Sequence, residues 1–208
     1  MKLANEKLAA DLLEAGKQEF LAKGFQGASL RSIAASMGVT TGAIYRYYSD
    51  KEALFDALVE EPARTLVEQY REKQQAFSSL PLERQLSDLP EISGNGQKWM
   101  IQHIYDNFDA FKLISCCSAG TKYEHYIDTL IEIEVNASRV LIDRMTEAGL
   151  SVHPIDDNLI HIVSSALFSG IFEPVRHDMP RGKAADYMNS LKEFYTAGWF
   201  RILGISGA

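Results

Sequence analysis

The run SLRSIAASMGVTTGAIYRYYSDKEAL, residues 29–54, decides the fold. In it Leu30, Ile33, Ala34 and Met37 recur at i, i+3, i+4 and i+7. That spacing puts one apolar stripe on a short helix, about 30–37. Ser29 stands just before the stripe, where its hydroxyl can accept from an orphan N–H of the first turn. Gly38 stands just after it, where a left-handed residue closes a helix. Val39 and Thr40 follow at once, and Thr40 is placed to cap a second short helix, about 41–47. Two helices joined at a glycine turn form a helix-turn-helix, and in that motif the second helix enters the major groove of DNA.

Outward from this run, periodicity predicts a first helix over about 4–23, with Leu8, Leu12, Ala15 and Phe20 inward, Gly24 as its stop and Phe25 packing back. Ser49 and Glu52 have capping-box spacing for a helix from about residue 50. Leu54, Phe55 and Leu58 lie on it, a break is expected at Pro62, and a further helix runs over about 63–77. Pro81, Pro90, Gly94 and Gly96 predict a short turn around 82–86 and then an exposed loop to 96. Helices are expected over about 97–115, 122–148 (closed by Gly149), 155–176 and 183–203. No strand pattern and no internal repeat occurs in the sequence. The reading is all-α, with a three-helix helix-turn-helix domain over 1–55 and a helical body over 56–208.

Residues 12–54 resemble the DNA-binding head of the TetR family of bacterial transcriptional regulators. The positions that carry the resemblance are Leu12, Leu13, Ala15, Phe20, Gly24, Phe25, Ser29, Ile33, Ala34, Gly38, Val39, Thr40, Gly42, Tyr45, Lys51 and Leu54. It covers roughly the first quarter of the chain. Two residues depart from the family's habit: Gly16, where a second alanine is usual, and Tyr48, where phenylalanine is commoner. Gly16 either lowers helix propensity by ~1 kcal/mol or lets another helix approach closely.

The 208 residues suffice for one or two domains with a sizeable core. Hydrophobic residues at 46% and charged residues at 24% are ordinary for a globular chain. No apolar run is expected to approach the ~18 residues of a membrane span. Glu6, Asp11 and Glu14 interrupt the first periodic stretch, which argues against a signal peptide. The two cysteines, Cys116 and Cys117, are adjacent, so no disulfide framework is expected and a reducing cytoplasm fits. The net charge is −7. Residues 1–55 nevertheless hold seven basic and six acidic side chains, leaving the remainder at −8. Phosphate binding depends on a local face rather than on the total.

A helix in the major groove needs small residues against the bases and donors toward the phosphates. Carried over by motif position, Thr41, Gly42 and Tyr45 meet bases, and Arg31 faces the groove. Ser29, Thr40, Tyr47 and Lys51 are assigned to the cap and to phosphates, and Arg46 is long enough for either contact. Lys2 and Lys7 are candidates for a basic arm. Tyr48 is read as a core aromatic.

The body resembles the family's ligand-binding half, which implies a cavity and a small-molecule effector. The face Ile127, Leu130, Glu134, Ala137, Leu141 contains one carboxylate. Glu134 therefore lines a polar cavity, pairs with Arg139 or Arg144, or sits at an interface. Met100, His103, Asn107 and Phe111 share a face, and with Trp99, Tyr123, Tyr126 and Phe168 could enclose an aromatic pocket. The competing reading of all of these is packed core. Cys116 and Cys117 are either a thiol sensor or packing. The last two helices are apolar on more than one side, which predicts a homodimer through a four-helix bundle. Its candidate interface is Val163, Ala166, Gly170, Leu191, Tyr195, Gly198 and Ile202.

No paired catalytic carboxylates, metal spacing, phosphate loop or nucleophile elbow occurs, so no enzyme, metal or cofactor is expected. The expected function is a homodimeric repressor. It binds a palindromic operator in double-stranded DNA and is released by a small-molecule effector. The alternative is a ligand-independent architectural or partner-regulated DNA-binding factor.

Overall fold

A computed structural model describes residues 2–204, with side chains from residue 6 onward. Among the described residues it is all-α, with nine helices. These are α1 (Lys2–Gly27), α2 (Leu30–Ser36), α3 (Thr41–Ile44), α4 (Lys51–Ser78), α5 (Leu82–Asp106), α6 (Phe108–Cys117), α7 (Tyr126–Glu147), α8 (Asp157–Arg176) and α9 (Arg181–Leu203). The chain forms two compact units: Met1–Thr65 with Asn107–Tyr126, and Leu66–Asp106 with Ile127–Ala208. The sequence division at 55/56 separates a motif from a body. The packing division instead runs through α4 and places α6 with the head.

The first unit is built on α1, whose Leu12 and Phe20 are fully buried with Ile33, Ile44, Leu54 and Phe55. Phe55 meets Phe20 edge-on at 5.1 Å and Phe25 at 5.5 Å between ring centroids. Gly16 is the residue that admits α4: a Cβ there would stand 2.9 Å from Leu54 Cδ2. α6 adds Phe111, Leu113 and Ile114 to the core, and Lys17 of α1 pairs with Asp109 at 2.8 Å. Tyr126 closes the unit by donating its hydroxyl to the Ala63 carbonyl at 2.9 Å.

In the second unit, Arg144 of α7 ties down the joint between α4 and α5. Its guanidinium donates to the carbonyls of Ser78 (2.6 Å) and Leu80 (3.0 Å) and to Gln85 Oε1 (2.9 Å). Gln85 in turn donates to the Phe77 carbonyl at 2.6 Å. The Ser78 carbonyl at the end of α4 and the Leu80 carbonyl just beyond it are thereby satisfied.

Several expected boundaries differ. α4 continues through Pro62. An interior proline costs ~3 kcal/mol, whereas fully burying Val59 and Leu66 on either side of it contributes ~1.5–3 kcal/mol each. The expected loop up to residue 96 is helix, part of α5. Gln85, Leu89, Ile92 and Gly96 recur there at helical spacing on the inward side, and Gly94 lets the Lys192 side chain of α9 lie against α5. The single helix expected over 97–115 is two, divided at Asn107 (φ −124°, ψ 40°). α3 ends at Ile44, and 45–47 form a turn. α7 begins at Tyr126 rather than near 122.

Contrary to the expectation that no apolar run approaches a membrane span, α8 is long and apolar enough to cross a membrane by length and composition (mean hydropathy 1.2). Serines punctuate it, and Ile160, Leu167, Phe168, Ile171 and Phe172 are buried within its own unit.

Candidate functional site

The two short helices of the head are set by caps. Ser29 Oγ accepts from the Ser32 N–H at 3.1 Å, and the Ser29 N–H donates to Glu19 Oε1 at 3.3 Å. At the other end of α2, Gly38 takes φ +67°. The Gly38 N–H reaches the Ala35 carbonyl at 3.2 Å, and the Val39 N–H the Ala34 carbonyl at 3.0 Å. This is a Schellman closure, and the left-handed residue it needs is cheapest as glycine. It turns the chain directly into α3. Thr40 has the extended backbone of an N-cap, but its hydroxyl makes no cap bond, so it is left outward. α4 is capped by Asp50, whose Oδ1 accepts from the Ala53 N–H at 2.7 Å, and not by the Ser49–Glu52 box.

With α2 and α3 held this way, Ile33, Ala34 and Ile44 point into the core. Arg31, Thr40, Gly42, Tyr45 and Arg46 are exposed, and Ser29, Thr41 and Tyr47 are half-buried. Tyr45 keeps 57% of its surface in solvent. Tyr48 is half-buried, and burial pushes its phenol up. The head's cations divide in two. Lys17 is committed to Glu14 and Asp109, and Lys23 to Glu19. Arg31 and Arg46 carry no ion pair among the described residues. Lys51, expected at a phosphate, here clamps the chain: its ammonium donates to the carbonyls of Phe25 (2.6 Å) and Ala28 (3.0 Å) and lies 4.3 Å from the Phe25 ring centroid. Lys7 is an exposed residue of α1 rather than part of an arm, and the Lys2 side chain lies outside the described residues.

The second unit holds a cavity of about 170 Å³. Its walls are mostly apolar and aromatic, from Phe77, Leu89, Ile92, Leu141, Leu167, Ile171, Trp199 and Phe200. Of the nine residues expected around a pocket, it collects Met100, Glu134 and Phe168. The other six do not line it. Trp99 stacks on His103 at 5.4 Å, Asn107 marks the break before α6, and Phe111, Tyr123 and Tyr126 are core of the first unit. Helical spacing could not separate them, because an aromatic facing a cavity and one facing a core repeat with the same period. Tyr70, Gln74, Gln97 and Trp199 line the cavity but carried no signal beyond their place on amphipathic helices.

Glu134 is the cavity's carboxylate. Of the alternatives for it, the polar cavity is the one observed. Arg139 pairs with Asp157 and Arg144 with the α4–α5 joint. Tyr70 donates its hydroxyl to Glu134 Oε2, and Gln74 donates to the same oxygen at 2.8 Å. Burial pushes the Glu134 carboxyl up despite the Tyr70 hydrogen bond, and burial with the Glu134 charge pushes the Tyr70 phenol well up. At the end of α6, Cys116 is exposed and Cys117 buried; burial pushes the Cys117 thiol up, which disfavours the reactive thiolate.

The expected dimer residues also divide. Gly170 faces Leu191 of its own chain, where a Cβ would meet Leu191 Cδ2 at 3.0 Å, and Tyr195 lines the cavity. Val163, Gly198 and Ile202 are half-buried, and Ala166 is exposed. The large apolar side chains left outside are Ile162 (61% exposed) and Leu159 on α8, and Phe194 (71% exposed) on α9.

The family model described as "Bacterial regulatory proteins, tetR family" matches residues 12–58, the stretch that holds this capped pair of helices. Residues 12–58 are thus similar to the DNA-binding head of the TetR family. The TetR-family head is 38% identical over 58 residues to the HTH-type transcriptional repressor AcnR of Corynebacterium diphtheriae. That match takes in 28% of this chain and 30% of AcnR, so the chain covers under a third of that curated relative. Solved structures extend the likeness in fold over most of the chain. NalD of Pseudomonas aeruginosa, the secondary repressor of the MexAB-OprM multidrug efflux pump, superposes with a TM-score of 0.54 at 23% identity, covering 95% of this chain and 96% of NalD. FadR of Bacillus subtilis, solved with stearoyl-CoA, gives 0.54 at 15% identity, covering 91% and 98%.

Proposed function

We propose that this chain is a DNA-binding transcriptional regulator that works as a homodimer in the cytoplasm. It represses from a palindromic operator and is released by a small molecule in the cavity of its second unit. The observation that carries this reading is the exposed set Arg31, Thr40, Gly42, Tyr45 and Arg46 on a helix pair whose apolar sides are buried. Bases meet Thr41, Gly42 and Tyr45. Phosphates meet Arg46, Tyr47 and the Ser29 hydroxyl, and Arg31 reaches a guanine edge. Repression follows the matched relative's name. The cavity favours effector control over a ligand-independent factor. It is far smaller than the acyl-CoA of the FadR structure requires, so this effector is of another size class. The reading contains no catalytic step and no membrane.

Ile162, Phe194, Leu159 and Ala166 form the exposed apolar surface of α8 and α9 that a second copy covers, so two heads read half-sites ~34–36 Å apart. α4 begins in the first unit and ends in the second, and this covalent link couples effector to head. The test is selection of duplexes from a random pool by the full chain at two salt concentrations. A recovered palindrome with steep salt dependence supports the reading. Sequence-blind, salt-sensitive binding moves it to the ligand-independent factor, and no binding at either salt overturns it.

A further inference from the structure

The carboxylate in the cavity lacks a counter-charge. Tyr70 and Gln74, both neutral, reach only Oε2 of Glu134. Among the described residues no lysine or arginine pairs with it, and Oε1 accepts no hydrogen bond. Lys73, the one cation on the cavity wall, lies over the Trp99 ring, 5.3 Å from its centroid. Gln97 supplies a second acceptor on the wall, an Oε1 that is buried without a partner. The rest of the wall is mostly apolar or aromatic, with Ser93, Ser138 and Thr196 as neutral hydroxyls. A charge enclosed in such surroundings is costly until an opposite charge meets it. The chain does not supply that charge, so the carboxyl either holds a proton or takes an opposite charge from a ligand. Size narrows the class further: a 150 Å³ apolar cavity admits benzene, and this one is about 170 Å³, room for one ring and a short side chain.

We propose that the ligand is a compact apolar amine, its ammonium paired with Glu134 Oε1 and its ring among Phe168, Leu167 and Trp199. That it acts as an effector rests on the regulator reading; that it binds does not. The experiment therefore uses the full chain without DNA, with calorimetry and tryptophan fluorescence as readouts. Three probes share one skeleton: 2-phenylethylamine, ethylbenzene and 3-phenylpropionate. The amine is expected to bind at least about tenfold tighter than the other two. Glu134→Gln removes that preference and leaves ethylbenzene binding unchanged, whereas Tyr70→Phe, which leaves Oε1 open, retains it. If Glu134→Gln does not fold, the wild-type ranking together with Tyr70→Phe decides.

Preference for 3-phenylpropionate overturns the proposal in favour of an anion on Lys73. Equal binding of amine and ethylbenzene overturns it in favour of a purely apolar site, and no binding of any probe overturns it outright. Amine binding that leaves operator affinity unchanged strikes the effector role alone and leaves the site standing.

Discussion

Tyr45 is 57% exposed beside Ile44, which is fully buried. A large ring held in water at the end of α3 gains little for the fold and much from a DNA surface. Tyr45→Ala should weaken operator binding by at least ~1 kcal/mol while the melting temperature holds; an unchanged titration removes Tyr45 from the contacts. Glu134 makes an opposite kind of prediction, about stability. Its folded pKa lies above the usual 4.5. As pH rises past that value, the unfolded chain has lost the proton that the folded chain still holds. Stability is therefore full below the ordinary glutamate range and falls as pH climbs through the folded value. Glu134→Gln lacks this slope, so its melting temperature should gain on wild type as pH is raised from 4 to 8. A constant difference across melts in that range refutes the assignment. Both residues stood out in the sequence, Tyr45 by its place in the motif and Glu134 as a lone carboxylate on an apolar stripe. Their surroundings did not: which oxygen Tyr70 and Gln74 satisfy depends on side chains 60 and 64 positions away.

Elements were legible where their ends were chemically marked. Ser29, Gly38 and Gly149 punctuate helices through their own backbone needs, and those boundaries appear as read. Pro62 and the stretch 82–96 misled, because local propensity there is outweighed by burial along α4 and α5. Gly16 shows the same contest at one position. Local propensity favours Gly16→Ala by ~1 kcal/mol, yet the new Cβ would press on a Leu54 side chain that is fully buried. Overpacking costs ~1–3 kcal/mol, so the variant should be less stable in denaturant titration; a more stable variant shows that Leu54 yields freely. Arg144→Ala should cost more, ~2–4 kcal/mol, since it strands the Ser78 and Leu80 carbonyls and Gln85 at the α4–α5 joint. The same titration checks it, and a loss under 1 kcal/mol shows that water replaces the guanidinium.

For the whole molecule, the dimer is the open quantity. Leu159, Ile162 and Phe194 leave an apolar surface on α8 and α9 that a folded monomer exposes to water. Wild type should elute at twice the chain mass in light scattering. Ile162→Glu with Phe194→Glu should run as a monomer with native helicity and lose most operator affinity, because two half-sites are no longer bound together. A double variant that stays dimeric moves the interface elsewhere. The sequence division at 55/56 and the packed units also differ at this scale, since α6 returns to the head's core through Phe111, Leu113 and Ile114, far along the chain.

From the sequence alone came the helical class, the helix pair with its Ser29 cap and Gly38 turn, the likeness of the head to the TetR family and the exposure of Arg31, Tyr45 and Arg46. These depend on interactions within a few positions, and hydrophobic period and capping chemistry record such interactions directly. Tertiary structure alone decided that Lys51 clamps the Phe25 and Ala28 carbonyls, that Gly170 meets Leu191 of its own chain, and that only three of nine expected residues border the cavity. Each of those turns on which distant helix lies opposite a face. A repeating apolar stripe says that a face is covered, but not by what.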